Sequence, residues 1–127
     1  MIVAIGVDVV EIQRIRSLLE RSGDRFINRI FTEQEGEYCR SLSNPAESLA
    51  ARFAAKEAAM KCLGTGWAEG LSFQQIEVQR LPSGDTQLVV TGEALNKAIA
   101  LSIHRWHVSL THTDTTATAF ALAETEP

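Results

Sequence analysis

Apolar residues recur along this chain in two rhythms, a strand period and a helical period. Residues 2–9 (IVAIGVDV) are a short, β-branched run bounded by charge, the pattern of a buried strand that carries Asp8 near its end. Ile12, Ile15, Leu18 and Leu19 then recur at helical spacing up to a stop at Gly23. Thr32 followed by Glu35 is a capping-box pair and predicts a short helix over 32–42, ended by Asn44-Pro45. Residues 46–63 are alanine-rich, with no internal glycine or proline, and predict the longest helix. Residues 73–80 and 86–91 read as a hairpin around Pro82-Ser83-Gly84-Asp85, and 92–101 as one more short helix. A second hairpin, 106–112 with 116–124, turns at Thr113-Asp114-Thr115. Strand, helices, hairpin, helix, hairpin is the order of an α+β fold with helices packed on a mostly antiparallel sheet.

Three positions on these elements carry more charge than their surroundings favour. At ~100° per residue, Glu57 shares a face of the long helix with Ala50, Phe53, Ala54 and Met60, and Lys61 lies about 40° away. Glu57 and Lys61 could be a solvated i,i+4 pair. A charged pair among apolar neighbours is costly, however, unless something there needs it. Asp8 could cap the helix beginning near Glu11. Alternatively Asp8 and Glu57 share a hard divalent ion, since Mg²⁺ typically takes two carboxylates together with waters and substrate phosphates. His112, at a strand end between two threonines, has a structural reading alongside a functional one. Gly64-Thr65-Gly66 closes the long helix as a C-cap; Gly64 is also kept as a cofactor-binding candidate, although the strand–glycine–helix order and Lys-Ser/Thr of a P-loop are missing.

Composition narrows the function classes. Apolar residues make up 45% and charged residues 22% of 127, which fits one ordinary globular domain over 1–127. A net charge of −4 argues against nucleic acid as the main partner. The basic residues are unevenly placed. If the second element runs as one helix to Arg25, then Arg14, Arg21 and Arg25 fall within about 40° of one another and make a basic stripe. That stripe is either a solvated face or a dock for an acidic partner. Cys39 and Cys62 lack metal-ligand spacing and read as free thiols of an intracellular protein. The first twelve residues lack a basic leader and a cleavage site, and no run approaches the ~18 apolar residues of a membrane span. The expectation is a soluble, cytoplasmic protein that does not bind membranes.

Four ordered segments together resemble the holo-acyl-carrier-protein synthase family of small phosphopantetheinyl transferases. IGVDVVEIQR at 5–14 is similar to its first block and RFAAKEAAMKCLGTG at 52–66 to its second, the more specific match. LSFQQIEV at 71–78 and VSLTHTDTTATAFAL at 108–122 resemble the later blocks. The resemblance implies the phosphopantetheinyl transferase fold and transfer of 4′-phosphopantetheine from coenzyme A to a serine of acyl carrier protein. It implies Mg²⁺ held by Asp8 and Glu57, and Lys61 on the phosphates. Arg52 and His112 match positions that grip the nucleotide phosphates. Arg14 matches an arginine that contacts the acidic carrier protein, with Arg21 and Arg25 beside it on the stripe. A homotrimer with active sites between subunits, working in lipid synthesis, is also implied. Glu57, directly or through a water, is the first candidate for the base that takes the serine proton, and His112 the second. Cys62, Trp67 and Thr113 depart from the commonest family pattern. The rival chemistry is a metal-dependent hydrolase of coenzyme A or a related diphosphate, using the same carboxylates with water as nucleophile. A second rival is a non-catalytic carrier- or nucleotide-binding scaffold.

Overall fold

A computed structural model describes residues 1–64, 66 and 70–126; Thr65 and Trp67, singled out above, lie outside the described residues. In chain order the elements are β1 (Ile2–Glu11), α1 (Ile12–Ser22), α2 (Asp24–Ile30), α3 (Glu33–Arg40) and α4 (Pro45–Leu63). A 3-10 turn (Phe73–Gln75) leads into β2 (Ile76–Arg80) and β3 (Thr86–Val90), followed by α5 (Gly92–Ala100), β4 (Arg105–His112) and β5 (Thr116–Glu124). The α+β class and the antiparallel pairing follow the sequence expectation. The strands form two separate sheets, β1-β5-β4 and β2-β3, every pair antiparallel.

One helix organises the whole. α4 lies across the three-stranded sheet, its small residues Ala54, Ala55, Ala58 and Ala59 buried with Ala117, Ala119, Ala121 and Ala123 of β5. Gly6 of β1 marks the closest approach: a Cβ built there would overlap the carbonyl oxygen of Ala58. Only a glycine lets helix and strand backbones come this near. Pro45 opens α4 at its first turn, where its missing N–H costs nothing. Gly64, at φ 74°, closes it in the left-handed conformation and returns its N–H to the Lys61 carbonyl. Thr32 caps α3 through the expected capping box with Glu35.

Three expectations need correction. The second element does not run to Arg25: Gly23 adopts φ 50°, its N–H closes on the Leu19 carbonyl, and α2 starts afresh at Asp24. Arg14 and Arg21 share α1, but Arg25 belongs to a different helix, so the stripe is broken into two exposed pieces. The strand expected at 73 starts at Ile76, because 73–75 turn in a 3-10 coil and the Gln74 and Gln75 side chains bond to backbone at Phe31, Gly70 and Ala94.

The third correction concerns β1, which is not buried on both faces. Gly6, Asp8 and Val10 turn toward the interior, while Ile5 (62% exposed), Val7 and Val9 (60%) turn outward beside Phe120 (54%) of β5. In register, Val7 stands opposite Phe120 and Ile5 opposite Leu122. A strand apolar on both sides is the mark of a sheet covered on both sides. Within one chain only one side is covered. Both thiols are buried, and burial pushes Cys39 above its ordinary pKa and Cys62 up to about 11. No helix among the described residues is long and apolar enough to cross a membrane.

Candidate active site

Asp8 and Lys61 meet where β1 crosses the C-terminal half of α4. The Lys61 ammonium donates to the Val7 carbonyl at 2.8 Å and lies 3.3 Å from Asp8 Oδ1. Asp8 does not cap α1, whose N-cap is Glu11 without a side-chain hydrogen bond. The capping reading of Asp8 is therefore set aside. Glu57 stands one turn before Lys61, about 6 Å along the axis at 1.5 Å per residue, and ~40° around it. It immediately precedes Ala58, the residue pressed against Gly6. The close glycine contact thus sets the depth at which Asp8 on the strand faces the Glu57–Lys61 stretch of the helix.

These carboxylates fit a hard divalent ion better than a softer one. No cluster of three or more His, Cys, Asp or Glu able to hold a metal occurs among the described residues. A candidate set of two oxygen donors, open to solvent beside an exposed ammonium, is what Mg²⁺ completes with waters and substrate phosphate. It is not the closed N/S shell that structural zinc requires.

Arg52 and His112 sit elsewhere. Both line a groove of about 970 Å³ between the β2–β3 hairpin, β4 and the N-terminal half of α4. His112 Nε2 lies 3.6 Å from Glu47 Oε2, on the first turn of α4. Arg52 is buried; it donates to the Val78 carbonyl and its guanidinium lies 4.8 Å from the centroid of the Tyr38 ring. Arg52 and Glu57 are about 140° apart around the axis, at ~100° per residue, so they look to different sides of α4. Within one chain the groove and the Asp8–Lys61 contact lie on different sides of α4. Gly64 caps the helix beyond Lys61.

Arg14 is exposed on α1, with its guanidinium 5.8 Å from the centroid of the Phe53 ring, which in turn stacks on Phe73. Arg21 is exposed in the last turn of α1 and Arg25 is exposed on α2. The arginine expected to meet a partner is therefore held over an aromatic platform one turn before Glu57. The groove residues Arg80, Trp106 and the turn at Gly84-Asp85 were missed from sequence. The one available signal was that the first hairpin's turn is polar and short, which does not by itself mark a wall.

The family model of the 4′-phosphopantetheinyl transferase superfamily matches residues 4–123. The chain belongs to that superfamily. Among curated relatives of this phosphopantetheinyl transferase, a holo-[acyl-carrier-protein] synthase of Koribacter versatilis is 45% identical over 124 residues, spanning 98% of this chain and 99% of the relative. The solved holo-[acyl-carrier-protein] synthase of Neisseria meningitidis superposes with a TM-score of 0.87 at 36% identity, covering 98% of this chain and 99% of that one. The synthase of Bacillus anthracis, solved in complex with CoA (3′,5′-ADP), gives 0.82 at 36% identity and 99% coverage of both chains. The likeness extends over whole chains, so the phosphopantetheinyl transferase fold read from four sequence blocks is the fold observed.

Proposed function

We propose that this chain transfers the 4′-phosphopantetheine group of coenzyme A to a serine hydroxyl of apo acyl carrier protein, with Mg²⁺, releasing adenosine 3′,5′-bisphosphate. The observation that carries the reading is the seam of β1 and α4, where Lys61 reaches Asp8 one turn from Glu57 in a chain similar end to end to such synthases. The chain acts as one transferase domain over 1–127.

The serine oxygen forms a bond to the β-phosphorus of coenzyme A as the bridging P–O bond breaks, and the electron pair leaves with the bisphosphate. Such transfers are catalysed by positioning and charge neutralisation. Asp8 and Glu57 would hold the Mg²⁺, which when bound neutralises charge on the diphosphate. The exposed Lys61 ammonium, steadied by the Val7 carbonyl, offers a second positive charge to the same oxygens. Glu57, directly or through a water, is the first candidate to take the serine proton, and His112 the second. Arg52, His112 and Gly64 are assigned to the donor's nucleotide and phosphates. Intact mass of apo acyl carrier protein after incubation with this protein, coenzyme A and Mg²⁺ tests the reading: the expected result is a gain of one phosphopantetheine. Bisphosphate released from coenzyme A without any carrier would mean hydrolysis instead.

Two further parts of the reading have their own support. The groove and the Asp8–Lys61 contact on different sides of α4, and the uncovered apolar sheet face at Ile5, Val7, Val9 and Phe120, favour a homotrimer whose active sites lie between subunits. Phe120→Glu is expected to reduce the light-scattering mass from three chains to one and to remove activity with it. An unchanged mass would detach this face from assembly. Arg14, Arg21 and Arg25 are assigned to the acidic carrier. Arg14→Glu is expected to raise the KM for carrier by about 10²-fold, a few kcal/mol of lost and reversed charge contact, while the KM for coenzyme A holds within about twofold. Equal loss for both substrates would reject the assignment. The same reading makes this a cytoplasmic enzyme of fatty-acid synthesis.

A further inference from the structure

Lys56 has 0% of its surface exposed, and no step above uses it. Its ammonium donates to Glu35 Oε1 at 2.7 Å, to the Ile76 carbonyl at 2.6 Å and to the Phe73 carbonyl at 3.0 Å, which occupies all its donors. Glu35 is as fully engaged. Oε1 also accepts from the Thr32 N–H at 3.0 Å, and Oε2 accepts from the Val78 N–H at 2.9 Å. Arg52, one helical turn before Lys56, lies 3.9 Å from Glu35 Oε2 and donates to the carbonyl of the same Val78. One buried ion pair therefore joins α3, the 3-10 turn, β2 and α4 at a single point.

Cohesion alone does not require such a pair. Burial pushes Lys56 below the ordinary lysine range, and the Glu35 carboxylate works against that. A pair of well-packed apolar side chains often holds elements together as well or better. What the ionic pair adds is direction, because each hydrogen bond has one donor, one acceptor and a narrow angle. The groups so aimed are Val78 and the Arg52 guanidinium, and with Tyr38 they form the inner wall of the 970 Å³ groove.

We propose that Glu35 and Lys56 are positioning residues for the donor substrate: they lock β2 and the Arg52 guanidinium onto α4 and so set the width of the groove that receives the nucleotide end of coenzyme A. This rests on the groove being a coenzyme A site. The pair acts on the groove side of α4, away from the seam of β1 and α4, so its loss separates donor binding from turnover.

The test compares the wild type with Glu35→Gln/Lys56→Met, which removes both charges of the pair together and leaves Arg52 its bond to the Val78 carbonyl. Transfer is measured by carrier mass with coenzyme A and carrier varied separately, and amide hydrogen exchange is followed in both proteins. The expected result is a rise of about tenfold in the KM for coenzyme A, with kcat and the KM for carrier within about twofold. Faster exchange in β2 and β3, with β1 and α4 still protected, accompanies it. An unchanged KM for coenzyme A, or a fall in kcat alone, overturns the proposal. Should the double variant not fold, Glu35→Asp, which keeps the carboxylate charge but withdraws it by one methylene from Lys56 and Val78, carries the same measurement; a rise of about threefold is expected and no rise overturns it. A wild type that transfers nothing sinks the functional reading instead. The exchange arm then still decides the pair's role, since unaltered hairpin protection overturns it.

Discussion

Asp8→Ala lowers turnover by on the order of 10²–10³ and leaves the fold standing. The expectation has two parts with separate physical grounds. Catalytically, the substitution removes one of two carboxylates assigned to the cation, and with it much of the charge neutralisation on the diphosphate. Structurally, Asp8 contributes little. Its ion pair with Lys61 spans 3.3 Å, and the lysine side chain is 55% exposed, so solvent screens the contact and about 1 kcal/mol is an upper figure for its worth. Lys61 keeps its bond to the Val7 carbonyl when the carboxylate is gone. Circular dichroism and a melting curve close to wild type, beside a turnover rate that added Mg²⁺ does not restore, are the results expected. Glu57→Ala should behave in the same way. Full activity in either variant removes that residue from the metal set.

Gly6→Ala is expected to do the opposite, costing stability first and activity as a consequence. The added methyl falls on the Ala58 carbonyl oxygen, which is backbone of a helix nineteen residues long and cannot step aside as a flexible side chain would. Either α4 lifts from the sheet or β1 bends. Overpacking of this kind typically costs about 1–3 kcal/mol, occasionally more. Lifting α4 also withdraws Lys61 from Val7 and Asp8, so the surviving folded fraction should turn over more slowly. Chemical denaturation gives the first number, and turnover per folded molecule gives the second. A midpoint equal to wild type would show that the backbones are not in contact at this point.

The elements of the fold were largely legible because their signals are local. Thr32 with Glu35, Pro45, Gly64 and the Thr113–Thr115 turn each announce a boundary through their own backbone chemistry, and each boundary is found within a residue or two. Gly23 was legible as a stop, but only its positive φ shows that a second helix begins at once and carries Arg25 away from Arg14. β1 misled because apolar side chains on both faces say that both are covered and do not say by what. In the candidate site, Glu57 and Lys61 stood out as charges among apolar neighbours. The meeting of Lys61 with Asp8 depends on packing between distant segments, which the family resemblance supplied and local pattern could not. Lys56 and Glu35 escaped notice for a related reason. α4 is small and apolar nearly all the way round, so no polar face exists from which a buried lysine could be told apart, and the capping box already explained Glu35.

β3 runs beside β4 across the groove, yet among the described residues no ladder of hydrogen bonds stitches the two sheets together. The hairpin tip at Leu81–Asp85 is held by its own short-range bonds, from Leu81 N–H to the Asp85 carbonyl and from Gly84 N–H to the Leu81 carbonyl. Residues can therefore be added to or removed from that tip without shifting the register of β1, β5 and β4. Related chains can in this way diverge in the shape of the groove while keeping the seam of β1 and α4 constant. For an engineer, the tip is the place to graft new length when a wider groove is wanted.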